Sequence, residues 1–183
     1  MFEEGTKSIS LAGGDARLLT SETGTLALLG TNLIIAIPSS EKPEQGKIVS
    51  VPTDGGAMTT IVSNQSGPHI PLSCGADLCW LTAVKSQAVI GGKGALVRYT
   101  AGGMPKTIIE DNGVYFIRQL MFDGTDFFGA MFQNLGVHEG TPFRLAAAGG
   151  KWTSLVMDGG SIALDEKCVY MASSVTGITT IAK

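Results

Sequence analysis

Gly-Gly pairs stand at residues 13–14, 55–56, 102–103 and 149–150, so they recur at intervals of 42, 47 and 47 residues. Two short segments with strand character flank each of them. Ile9-Ser10-Leu11, Val49-Ser50-Val51, Val97-Arg98-Tyr99 and Phe143-Arg144-Leu145 come before, and residues 16–20, 58–62, 105–109 and 152–156 come after. Glycine supplies the positive φ of tight hairpin turns, so each block is predicted to be a β-hairpin. A recurring unit of this kind cannot bury its apolar face alone and must stack on its neighbours.

A second hairpin lies between successive Gly-Gly hairpins. Residues 26–29 turn through 30–32 into 33–37, residues 71–74 turn through 75–77 into 78–81, residues 120–122 turn through 123–126 into 127–131, and residues 161–164 turn through 165–167 into 168–171. These segments are more continuously apolar than the Gly-Gly hairpins, as strands covered on both faces should be. Four short antiparallel strands in one repeat length describe a β-propeller blade. The chain is therefore predicted to be all-β and free of helix, a single domain over 1–183. Its blades fall at about 24–64, 68–110 and 113–157, with a fourth at 158–183 completed by residues 6–20. That completion pairs the N- and C-terminal strands and closes a ring of about four blades. The alternative is half of a larger ring, assembled as a homodimer through the terminal strands.

Composition narrows the function classes. Charged residues make up 16% of the chain, against roughly 25% in ordinary soluble domains. The net charge of −3 comes without a Lys/Arg cluster, so neither nucleic acid nor an anionic membrane is an expected partner. The most apolar window, 26–38, is broken at Gly30-Thr31-Asn32 and is too short for a membrane span. The acidic start Met1-Phe2-Glu3-Glu4 lacks the features of a secretion signal. The expected location is extracellular or periplasmic if a leader was removed, and cytoplasmic otherwise.

Two blocks carry a resemblance. Gly46-Lys47-Ile48-Val49-Ser50-Val51-Pro52-Thr53-Asp54-Gly55-Gly56 and Gly75-Ala76-Asp77-Leu78-Cys79-Trp80-Leu81-Thr82 resemble repeats of bacterial β-propellers of the NHL and TolB-like kind. In those repeats a Gly-x-[Ile/Val] strand precedes a Gly-Gly turn, and an Asp-x-[Val/Leu]-aromatic strand follows a turn. The resemblance implies a propeller and little more about activity, since such proteins include surface, periplasmic and secreted binding proteins and a few lyases and hydrolases.

Candidate functional residues are few. His69, in Ser66-Gly67-Pro68-His69, and His138, in 134–140, lie in connections that would ring one face, where a solvated loop role competes with general-base or metal chemistry. Trp80 either packs between blades or faces inward to stack on a planar ligand such as a sugar. Arg98 and Arg144 share one repeat position with Ser10 and Ser50 and are predicted to be exposed on outer strands. Cys74 and Cys79 face each other across a hairpin, either as buried thiols or as a cross-strand disulfide, while Cys168 aligns with Leu33, Leu78 and Phe127 in the core. Asp77, Asp123, Asp126, Asp165 and Glu166 recur at the inner turns, where Asp caps backbone amides. Nothing points to a cofactor, a catalytic residue or a metal set. The leading expectation is a non-enzymatic module binding a protein or glycan through one face or the channel mouth. The alternatives are a lyase- or hydrolase-like propeller using a loop histidine and a metal, and a propeller fragment or engineered blade set whose main property is self-assembly.

Overall fold

A computed structural model describes residues 5–83, 94–110, 115–133, 140–155, 160–173 and 176–183. Strands β1 (Thr6–Ser8) and β2 (Arg17–Thr20) form a two-stranded sheet. The first four-stranded sheet holds β3 (Thr25–Leu29), β4 (Asn32–Ile37), β5 (Gly46–Pro52) and β6 (Thr59–Gln65). The second holds β7 (His69–Cys74), β8 (Asp77–Ala83), β9 (Gly94–Tyr99) and β10 (Lys106–Glu110). The third holds β11 (Tyr115–Phe122), β12 (Asp126–Gln133), β13 (Thr141–Ala146) and β14 (Thr153–Ser154). The last has three strands, β15 (Ser161–Leu164), β16 (Cys168–Ser173) and β17 (Gly177–Ala182). Every pairing is antiparallel between consecutive strands, and one 3-10 turn at Pro43–Gln45 is the only helical element among the described residues.

The sheets stack face to face in chain order. Cys79, Leu81 and Leu96 of the second sheet bury against Leu120, Phe127 and Phe143 of the third. Ile34, Ala36 and Ile48 of the first sheet meet Leu78, Trp80 and Val97 of the second. Phe128 of the third meets Ile162, Val169 and Met171 of the last. The first glycine of each Gly-Gly pair, Gly13, Gly55, Gly102 and Gly149, sits at φ +87°, +88°, +79° and +89°. An L side chain rarely adopts that conformation, which is why the pairs mark the repeat.

Three expectations are corrected. Ile9-Ser10-Leu11 is not a strand: β1 ends at Ser8, and Ile9 and Leu11 are 63% and 109% exposed. A turn closed by Gly13 N–H donating to Ser10 O at 2.9 Å draws these residues into the loop. Ser8 is then opposite Arg17, as Arg98 is opposite Lys106 and Arg144 opposite Thr153, so Ser8 holds the repeat position.

The last sheet is out of the expected frame by one residue. Its inner turn is the two residues Glu166 and Lys167, closed by Asp165 N–H donating to Cys168 O at 3.1 Å. The turn is fixed because the Asp165 carboxylate accepts from the N–H groups of Lys167 and Cys168, both at 2.7 Å. Cys168 therefore corresponds to Asn32, Asp77 and Asp126, and Tyr170 to Ile34, Cys79 and Phe128. Met171, rather than Tyr170, shares a position with Ile35, Trp80 and Gly129.

The terminal strands do not close a ring. The β1–β2 sheet is separate from β15–β16–β17, and β17 pairs only with β16. The small sheet instead covers part of the first one, with Leu19 on Ile35, Val49 and Val51. Arg17 Nη1 and Nη2 donate to Asp54 O at 2.7 Å and Thr53 O at 2.9 Å. By register β17 and β1 are both third strands of a blade, so both cannot enter one regular four-stranded sheet.

Candidate functional site

Alternation of strand direction gives the stack two ends. One carries the inner turns and the Gly-Gly turns, tied together where Thr53 N–H donates to Thr31 O and Ala147 N–H to Thr125 O. The other carries the connections between sheets, including residues 66–68 and His69. His138 falls outside the described residues.

The innermost strand of each sheet has a free edge, whose N–H groups need partners. Two of them find side chains on the preceding sheet. Ile70 N–H donates to Thr25 Oγ1 at 2.9 Å, and Ile162 N–H donates to Gln119 Oε1 at 2.9 Å. At the first tether the backbone is distorted. His69 is opposite Leu81 and Leu72 opposite Cys79, so Ile70 and Pro71 face the single residue Trp80 in a bulge. Ile70 has φ +47°. A β-branched residue in the left-handed region is strained by about 1–3 kcal/mol and persists only where its surroundings hold it. Thr25 is part of what holds it. Gly67 is another part: a Cβ there would lie 2.3 Å from Ala83 O, so the connection runs hard against β8.

His69 sits at the head of this bulge. Its Nδ1 lies 3.0 Å from Gly67 O. A carbonyl only accepts, so Nδ1 carries the proton and Nε2 keeps its lone pair. Burial lowers the His69 pKa, and the bond to Gly67 opposes this only in part, so the ring is neutral at pH 7. The folded-state pKa lies below the unfolded one, so the unfolded chain binds the extra proton first. Stability from this group is complete above about pH 6.5 and is lost as pH falls through the lower folded value. His69→Gln is therefore expected to flatten the dependence of stability on pH below 6.5, measured by denaturant unfolding at pH 7.5 and at pH 5. A wild-type curve already flat across that range would count against the assignment.

The remaining candidates sit elsewhere. Trp80 is 0% exposed among Ile34, Ile48 and Val97, so its ring has no face open to a ligand. Arg98 and Arg144 are anchored at the turn end, remote in the topology from the histidine loops. Arg98 Nε lies 3.7 Å from Asp77 Oδ2, and its guanidinium packs 5.9 Å from the Phe127 ring of the next sheet. Arg144 Nε donates to Asp126 Oδ2 at 2.8 Å, and Asp126 is buried. The turn aspartates thus divide into two kinds. Asp77 and Asp126 pair with arginines, whereas Asp123 and Asp165 cap their own turns. Partial burial pushes the Asp123 carboxyl up, but donation from the N–H groups of Asp126 and Thr125, with Lys183, outweighs it and holds the group below its ordinary value. Asp165 is also held low, chiefly by the Tyr170 hydroxyl donating at 2.6 Å.

Cys74 and Cys79 are joined by a disulfide and are 4% and 0% exposed. They are not directly opposed. Cys74 is opposite Asp77 and Cys79 opposite Leu72, so the bridge runs diagonally across the β7–β8 hairpin. Cys168 is a free, half-buried thiol. Among the described residues no group of three or more His, Cys, Asp and Glu side chains stands close enough to hold a metal ion. Sequence reasoning missed Thr25 and Ile70, for which no residue pattern gives a signal. It also passed over the glycines that come one or two residues before each inner strand in the sequence, at 24, 67, 113 and 160, which did carry one. Gly24 and Gly67 lie against the carbonyls of Ala36 and Ala83, where a Cβ would come within 2.2 and 2.3 Å.

This architecture is that of a β-propeller, and the solved structures it is similar to agree. A TolB-type protein from Agrobacterium tumefaciens superposes with TM-score 0.60 at 14% identity, over 81% of this chain and 54% of that one. An oligogalacturonate lyase from Vibrio parahaemolyticus gives 0.55 at 11%, over 99% of this chain and 60% of that one. The computationally designed Ika4 protein gives 0.55 at 11%, over 97% and 98% of the two chains. The chain thus spans about half the length of the first of these. No protein-family model matches the sequence, and no curated protein is similar to it.

Proposed function

We propose that this chain is a binding module that takes a protein or glycan ligand on the end of the stack that carries His69. One observation supports this reading: the strained Ile70 bulge, held from the next sheet by Thr25, keeps the neutral His69 ring at that end. Ile70 itself packs on the core around Cys79 and Leu81, and backbone outliers of this size cluster where ligands are met. The buried Cys74–Cys79 bridge supports placement in an oxidising compartment, outside the cell or in the periplasm. Titration calorimetry with oligogalacturonates as the first probe, the substrates named for one similar structure, tests the reading. The expected result is saturable binding that His69→Ala weakens about tenfold or more. Binding to glycans unchanged by that substitution would overturn it.

A second reading, a lyase- or hydrolase-like propeller enzyme, draws on the free Nε2 lone pair of His69, which fits a general base. Turnover of the same oligosaccharides, abolished by His69→Ala, would favour it over binding alone.

A further inference from the structure

The first four-stranded sheet and the last sheet of the stack each expose an apolar face whose equivalent the internal sheets bury. On the side of each sheet facing its predecessor, Leu26, Pro71, Leu120 and Ile162 hold one inner-strand position. Pro71, Leu120 and Ile162 are buried, the last two at 6% and 5% exposure, whereas Leu26 is 50% exposed and Leu28 beside it 63%. The small β1–β2 sheet explains the difference. It covers the outer half of that face through Leu19 and supplies no inner strands to cover the rest.

The last sheet mirrors this. On the side facing the next sheet, the cross-strand pairs Ala36–Ile48, Leu81–Leu96 and Ala130–Pro142 are all buried. The equivalent pair on the last sheet, Ala172–Ile178, is exposed, with Ile178 at 77%. Around it the same face presents Ala163, Tyr170 and Thr180, and β15 to β17 place no charged residue on it. A stack that ends in water is capped by polar outer faces. This one keeps core residues on the outer faces of its first and last sheets.

We propose that the Ala172–Ile178 face of one copy docks on the Leu26–Leu28 face of a second copy, and the reverse, so that two chains close one ring. The occupant is a second copy because each face continues the packing already made inside the chain. Ala36–Ile48 meets Trp80 between the first and second sheets, and Leu81–Leu96 meets Leu120 between the second and third. The chain's own last sheet is the surface shaped to repeat those contacts, yet among the described residues β15 makes no comparable contact with β3 of its own chain. A head-to-tail contact of this kind closes into a ring when its rotation allows. The strand frame adds a consequence. Thr180 of β17 and Ser8 of β1 are equivalent, so in the assembly β17 takes the place of the three-residue β1 beside the other copy's β2. This sets Thr180 opposite Arg17 and completes three strands with a fourth.

Light scattering coupled to size exclusion across a concentration range tests this. The full chain is expected at twice its 19.0 kDa. Ile178→Lys and Leu26→Lys, at positions already exposed in one chain, should each weaken association roughly a hundredfold while leaving the circular dichroism spectrum unchanged. Deleting residues 1–8 should leave the dimer intact. A species of one chain mass throughout overturns the proposal, as does a dimer indifferent to both lysines. Loss of the dimer on deleting residues 1–8 overturns the exchange of β17 for β1.

Discussion

Trp80→Ala is expected to lower the unfolding free energy by about 3–5 kcal/mol, enough to unfold a marginal domain at physiological temperature. The ring is 0% exposed and fills the gap between the first and second sheets, with Val97 opposite it on β9. Removing it uncovers Ile34 and Ile48 on one side and Leu78 on the other, in a stack whose stability is a sum of nearest-neighbour interfaces. Trp80→Phe should cost far less. The Trp80 Nε1 is buried and finds no acceptor among the described residues. An orphaned donor costs about 1–3 kcal/mol, which phenylalanine gives back against the smaller volume. Denaturant unfolding of both variants checks this. If the Phe variant loses as much as the Ala variant, the indole is held by something other than its volume.

Those contacts also explain what was legible in the sequence. The Gly-Gly pairs, the inner hairpins and the strand count were readable because turn chemistry is local, and each copy obeys it. Individual positions were harder, because packing conserves volume across a strand pair rather than residue type. Trp80 is opposite Val97, whereas the equivalent Gly129 is opposite Phe143, whose ring lies 2.4 Å from where a Gly129 Cβ would stand. The large partner has changed strands, and a single sequence offers no cue to that. The frame error in the last sheet came from one ambiguous turn acid: Asp165 reads equally well inside or outside the turn until its two backbone bonds are seen. Closure failed for a different reason. Residues 9–11 look like a strand by composition, but only pairing shows that the third-strand place is filled twice. The Ile70 strain and the Thr25 tether join residues 45 apart through one backbone N–H. Side-chain pattern carries no information about such a bond.

Reduction of the Cys74–Cys79 bridge is expected to destabilise the protein by about 2 kcal/mol, lowering the melting temperature by about 4–8 °C without abolishing the fold. The loop is short, with a sequence separation of 5, so the constraint on the unfolded chain is modest. The surrounding core also remains, since both sulfurs lie in the cluster shared with Leu81, Leu96 and Phe127. The equivalent diagonal in the other sheets shows what the bridge does. The first sheet fills it with the apolar pair Leu29 and Ile34. The third sets Lys183 against both Asp123, at 3.4 Å, and the Phe128 ring, at 5.8 Å. The last bonds Tyr170 to Asp165. Four chemistries thus pin one diagonal of the inner hairpin, so the bridge is one solution among several and its loss is survivable. Thermal melts of the wild type and of Cys74→Ala/Cys79→Ala, each with and without reductant, check this. Only the wild type should respond to reductant, and a double variant that melts with the oxidised protein would show that packing alone holds this hairpin.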